Sequence, residues 1–342
     1  MRVAAFLSTA AILTATAGFA EDTDLLVFDY SGFENADFHS AYIEKHGASP
    51  RFAFFGDEEE AFQKVRSGFR ADVAHICGDS VTKWSQSDIL EPWDISRIPE
   101  YTNLNKDLAG QDITGGDVYF IPVDYGSTAV AYNTDEIEGV PSLDIFLDPA
   151  YAGRVTLPDV AADSYALGYL ATGVSDWTQA TDEQFEAATA WLRQAHQNLR
   201  TYWTDPAELS QLLATGEVAL AWAWNETLPT MVDQGFPIGF ERETAEGSSL
   251  WLCGYVNLKD GEGVEDKAYD YINAMLDPSS TQPLLDAGYG HANAAAMAAF
   301  SDDDLTAVGL GPITAPVLAQ LPTSEELRNK QVEMFERIKA GF

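Results

Sequence analysis

Basic residues are scarce in this chain: 19 Lys and Arg stand against 54 Asp and Glu, a formal net charge of −35. A nucleic-acid partner needs a basic footprint, so that class is excluded. Docking on an anionic membrane surface is disfavoured by the same sign of charge. The acidity keeps the chain soluble and attracts cations at long range, an effect that salt screens. Adaptation of the surface to a saline environment accounts for the charge equally well, so charge alone names no ligand.

Long apolar runs are absent after residue 20. Residues 1–20, MRVAAFLSTAAILTATAGFA, place Arg2 before a small and apolar stretch that ends at Gly18-Phe19-Ala20, with Glu21-Asp22 following. That order of parts is a secretory signal peptide. The stretch is too short and too interrupted by Ser8, Thr9, Thr14 and Thr16 to be an anchor of about 20 apolar residues. The mature chain is therefore expected to start near Glu21 and to work in the periplasm. Removing Arg2 takes the net charge from −35 to −36. Cysteine is nearly absent too. Cys77 and Cys253 can form one disulfide closing a very long loop, which an exported compartment favours, or stay as two buried thiols.

Enzymatic signatures are missing: there is no Gly-x-Ser-x-Gly elbow, His-Glu-x-x-His, phosphate loop or Gly-x-Gly-x-x-Gly after a strand. Five scattered histidines, His39, His46, His75, His196 and His291, read as surface or satisfied core residues, with only His291 near a loop of interest. The chain reads as a binder and not an enzyme, with no cofactor and no metal site.

What is present alternates strand and helix. Asp24–Asp29, Arg51–Phe55 and Asp72–Ile76 read as strands, and helices follow the first two, with Phe38, Ala41, Tyr42 and Lys45 on one and Ala61, Phe62 and Val65 on the other. Tyr119–Pro122 and Thr128–Tyr132 read as two strands with Asp124-Tyr125-Gly126 between them. The pattern restarts near residue 133 with a strand at Gly153–Leu157 and a capped helix at Thr181–Ala195. A helix at Pro206–Thr215 and a strand at Glu217–Ala223 follow. A helix opens at Glu265-Asp266, and a tail helix begins with a capping box at Thr323 and Glu326. The fold class is α/β, in two lobes. No flexible linker separates them, so the chain is expected to cross between lobes through strands that act as a hinge.

Aromatic and acidic residues gather at strand ends, where open α/β sheets bind ligands. Tyr30 and Ser31 follow the first strand, Asp79 the third, and Tyr125 lies in the Asp-Tyr-Gly segment. Trp224, Asn225 and Glu226 end another strand, and Trp251 sits in a further one. Trp222, inside its strand, reads as core; Trp251 can be core or cleft wall. Aromatic faces and carboxylates together suit an ammonium ion, through cation–π contacts and charge-assisted hydrogen bonds.

Four segments in order carry a family resemblance. They are Ile121–Asn133 (IPVDYGSTAVAYN), Thr215–Asn225 (TGEVALAWAWN), Ala268–Pro278 (AYDYINAMLDP) and Gly288–Asn293 (GYGHAN). Together they resemble the periplasmic substrate-binding proteins of polyamine (spermidine/putrescine) ABC transporters. The resemblance implies a two-lobed periplasmic binding protein fold (type II-like) that closes about a hinge. It implies lobe 1 over 21–132 plus about 250–300, and lobe 2 over 133–249 plus about 301–342. It also implies a monomer that captures a small cationic amine and hands it to a membrane permease. By position it adds Asp163 as an acid that grips an amine, beside Tyr30, Ser31, Trp224 and Trp251.

The departures bear on the ligand. Polyamine binders carry Trp-x-Asp where this chain has Trp251-Leu252-Cys253, and Val160 stands where an acid is common. Asp79 and Glu226 can compensate, or the ligand can be a smaller or quaternary amine. An amino acid derivative, anion or metal in the same fold is the alternative, and a secreted enzyme a more distant one. No Tyr-Tyr pair of the ferric binders occurs, and basic residues for an anion are few.

Overall fold

The computed structural model describes residues 21–105, 113–114 and 116–342. The expected signal peptide lies outside the described residues. Among those described, no helix is long and apolar enough to cross a membrane.

The elements form where the local chemistry directs them. Asp57 caps the helix Glu58–Arg66 through the Glu60 amide, and Ala61, Phe62 and Val65 turn inward. Gly47, at φ 75°, ends the helix Ser40–His46 in the left-handed region that residues with a Cβ disfavour. Thr181 and Gln184 make the expected capping box on Asp182–His196. The tail helix, Glu325–Lys339, is capped by Ser324 and not by Thr323. The expected box does not form: Ser324 has the extended backbone a cap requires and accepts from the Leu327 amide, and Leu327 has no side-chain acceptor to return the bond.

Eight strands run side by side in one sheet, in the order 49–54, 21–29, 73–77, 248–258, 120–133, 220–224, 155–158, 199–203, with four shorter strands attached. The outer strands on each side are parallel to one another, while Ser248–Leu258 and Phe120–Asn133 are mutually antiparallel. The two strands expected around Asp124-Tyr125-Gly126 are thus a single strand of 14 residues. Pro122 is tolerated there because the ladder shifts register between Cys253 and Gly254, opposite it. Gly126 is required because a Cβ would overlap the Trp251 ring.

This strand and its antiparallel partner join two hydrophobic cores. Ile121 and Val123 lie in a core with Val27, Ile76, Tyr255 and Ile272. Val130 lies in a second core with Leu157, Leu167, Phe185, Trp222 and Phe335. Burying each such side chain contributes roughly 1.5–3 kcal/mol, so each side of the sheet has its own stabilising mass. The molecule is a two-lobed α/β protein whose lobes share two crossing strands.

Candidate functional site

Where the crossing strands meet the first core, one sheet face is unusually polar. Cys253 is registered with both Cys77 and Asp124, so the three side chains share a face. Cys77 and Cys253 form a disulfide. His75 stands two residues before Cys77 and bridges two carboxylates: Nδ1 to Asp29 at 2.7 Å and Nε2 to Asp124 at 2.9 Å. All three are essentially shut off from solvent. Burial alone would discharge the imidazole, but Asp29 and Asp124 overcome it and hold its pKa at about 10. Tyr255 donates to the other Asp29 oxygen at 2.7 Å. Asp124 Oδ2 has no hydrogen-bond partner among the described residues.

Glu226, just after the strand Leu220–Trp224, faces the same region. Burial lifts its carboxyl to about 8; Asp124 and Asp163 push in the same direction, and a hydrogen bond with Tyr289 opposes them. Tyr289 stacks on Phe33 at 5.2 Å and meets Trp251 edge-on at 6.0 Å. Phe33 in turn lies 4.4 Å from the His75 ring. The buried Trp251 indole N–H finds no acceptor among the described residues. Two acids and three aromatic rings therefore converge, with polar atoms left unsatisfied.

Asp163, in the helix Ala161–Ala171, accepts from Trp224 Nε1 at 2.8 Å, Gln320 Nε2 at 2.6 Å and Thr128 Oγ1 at 3.3 Å. Burial raises its pKa while these three donors lower it. The Trp224 ring, half-buried, stands edge-on to Trp203 at 4.6 Å. Trp222 is fully buried in the second core, as its place inside the strand suggests.

Not every residue singled out in the sequence joins this group. Asn225 is a clamp: its Oδ1 accepts the Ser127 amide at 2.9 Å and its Nδ2 donates to the Gly288 and Val308 carbonyls. Half-buried Tyr125 packs against Gly290. Ser31 is exposed on the turn after the first strand. Asp79 is paired with Arg328 of the tail helix, and Glu58 lies 4.0 Å from the same guanidinium. Tyr30 donates its hydroxyl to Glu58 at 3.0 Å. His291 is a core residue, held by Thr281 at 2.7 Å and the Met275 carbonyl at 3.0 Å.

The sequence singled out Asp124 only as part of the Asp124-Tyr125-Gly126 segment, and it did not mark His75, Tyr289, Phe33, Gln320, Glu58 or Arg328 as site residues. Tyr289 lay within a segment that carried the family resemblance. His75 had one signal: an ionisable residue in an otherwise apolar strand. The rest are joined only by tertiary packing.

Two cores tied by two shared strands, with carboxylates and rings enclosed where they meet, define a two-lobed solute-binding protein. The chain belongs to the bacterial extracellular solute-binding protein family, whose model matches residues 42–307. It is a binding component and not an enzyme. It is 24% identical over 352 residues to the spermidine/putrescine-binding periplasmic protein of Escherichia coli strain K12, covering 96% of this chain and 95% of that protein. It is 25% identical over 316 residues to the putrescine/agmatine-binding protein of Pseudomonas aeruginosa, covering 85% and 84%. The fold matches that of a spermidine/putrescine ABC transporter substrate-binding protein from Streptococcus pneumoniae. The TM-score is 0.74 at 19% identity, over 94% of this chain and 99% of that one.

Proposed function

We propose that this protein captures a small cationic amine, either a polyamine or a related amine or quaternary ammonium, in the periplasm. It then delivers the solute to the membrane permease of an ABC transporter. One observation carries the reading: Asp124 and Glu226 converge beside Phe33, Trp251 and Tyr289, with Asp124 Oδ2 unpartnered and Glu226 protonated near neutrality by burial. An ammonium placed there would draw the Glu226 proton off, donate charge-assisted hydrogen bonds to the two carboxylates and lie against aromatic faces worth roughly 0.5–2 kcal/mol each. Asp163, already supplied with three donors, orients Trp224 and adds negative potential. The relatives named for spermidine, putrescine and agmatine support the same chemistry.

In this reading lobe 1 (21–132 with about 250–300) and lobe 2 (133–249 with about 301–342) close over the ligand about the crossing strands. The closed monomer then docks on the permease. A thermal-shift panel of polyamines, quaternary amines, amino acids, sugars and ferric iron tests it. An amine at about 100 times its Kd stabilises the protein by about 2.7 kcal/mol. A shift produced by sugars or ferric iron and by no amine contradicts the reading.

A further inference from the structure

We propose that Arg328 fills the outer cationic subsite of the cleft, so that the protein selects a ligand with a single positive charge over diamines and polyamines. This rests on the amine-binding reading above and narrows its substrate class.

Acids of the first lobe stand at two positions along one wall. The inner one is Asp124, held by His75. The outer pair is Glu58, at the start of the helix Glu58–Arg66, and Asp79, in the turn after the strand Val73–Cys77. The same strand links both. Its His75 binds Asp124, and its Cys77 amide donates to Glu58 at 2.7 Å. Tyr30 also spans the two positions, with its hydroxyl on Glu58 and its ring 5.6 Å from the His75 ring. A ligand with cationic groups at both ends would use the inner acids for one and the outer acids for the other.

The outer acids already have a cation. Arg328 comes from the opposite lobe, on the helix Glu325–Lys339, whose Phe335 and Ile338 are buried in the second core. Its guanidinium bonds Asp79 and lies 4.0 Å from Glu58. Its side chain is 15% exposed, and those of Asp79 and Glu58 are 9% and 10% exposed. A second ammonium seeking these carboxylates must displace Arg328 and leave it unpaired in a desolvated pocket, an unfavourable exchange. Arginine cannot relieve that strain by losing its proton. The outer carboxylates thus already face a cation from within the chain, hydrogen-bonded to Asp79 and 4.0 Å from Glu58 Oε2, which accepts no hydrogen bond among the described residues, and the inner acids remain for a ligand cation.

An ion pair between lobes could instead serve only as a latch that favours closure. The two roles differ in what they change. A latch scales the affinity for all ligands together, whereas a plug changes the preference between ligands.

Calorimetric titration of the mature protein with n-butylamine, putrescine and spermidine separates them. The wild type is expected to bind n-butylamine at least tenfold more tightly than putrescine. Arg328→Met reverses the order in favour of putrescine and spermidine, and Arg328→Lys keeps the wild-type order. A wild type that prefers the diamine overturns the proposal, whatever the variants do. So does a folded Arg328→Met protein that still prefers n-butylamine. If neither wild type nor variant binds any amine, including quaternary ones, the amine-binding reading itself falls and this inference falls with it.

Discussion

Asp124 stands directly opposite Cys253 in the antiparallel ladder of the two strands that cross between the lobes. The resemblance to polyamine binders puts an acid at the position of Cys253; in this chain a carboxylate, Asp124, stands one strand over on the same face. The cysteine is committed elsewhere, to the bond with Cys77. His75 then holds one oxygen of Asp124 and leaves the other unpartnered.

Glu226 gives this site a pH dependence. Its folded pKa of about 8 lies well above the unfolded value near 4.3. The folded protein therefore holds a proton that the unfolded chain has lost, and this group's contribution to stability declines as pH rises from about 4.3 to about 8. A cationic ligand prefers the ionised form. Affinity for a quaternary amine should thus rise with pH toward 8, by up to about tenfold per unit. Dissociation constants measured from pH 6 to 8.5 check this, and Glu226→Gln should flatten the profile.

The Cys77–Cys253 bond closes a loop of 176 residues between its ends. Restricting an unfolded chain over such a span stabilises the fold by about 2–5 kcal/mol. Replacing both cysteines by serine should lower the unfolding free energy by that amount and shift the denaturation midpoint down accordingly. Equal midpoints for wild type and variant would show that the bond adds nothing.

Gly126 is where the crossing strand touches the aromatic wall, and a Cβ there would overlap Trp251 and Asn225. Overpacking of this kind costs about 1–3 kcal/mol. Gly126→Ala should lose stability by that much and weaken ligand binding further, because Trp251 is displaced. Urea unfolding and titration of the same preparation read the two effects separately.

Trp224 donates its N–H to Asp163 and keeps a half-buried ring at the end of its strand, a ring that the proposed function places in the cleft. Trp224→Phe keeps a ring and removes one donor to a buried carboxylate, a loss of about 1–3 kcal/mol in stability. Trp224→Ala removes the ring as well and should cost a further tenfold or more in affinity. Phe and Ala variants with the same affinity would place this ring outside the binding surface.

Much of this architecture was legible before the structure. The helix face at Ala61, Phe62 and Val65 follows from spacing, and all three are buried. Trp222 and Trp224 sort into core and strand end by position alone. Asp124-Tyr125-Gly126 did not read as strand, since Asp and Gly are turn formers in isolation. Only the facing Trp251 ring and the His75 imidazole explain why they occupy a ladder. Arg328 and Gln320 lie more than 150 residues from Asp79 and Asp163, their partners. No local periodicity records such a pairing.

The most direct test is to titrate the amine that gives the largest thermal shift into the Asp124→Asn, Glu226→Gln double variant, after confirming that the variant is folded. The account predicts a loss of affinity of at least a hundredfold relative to wild type. Wild-type affinity in the double variant would contradict it.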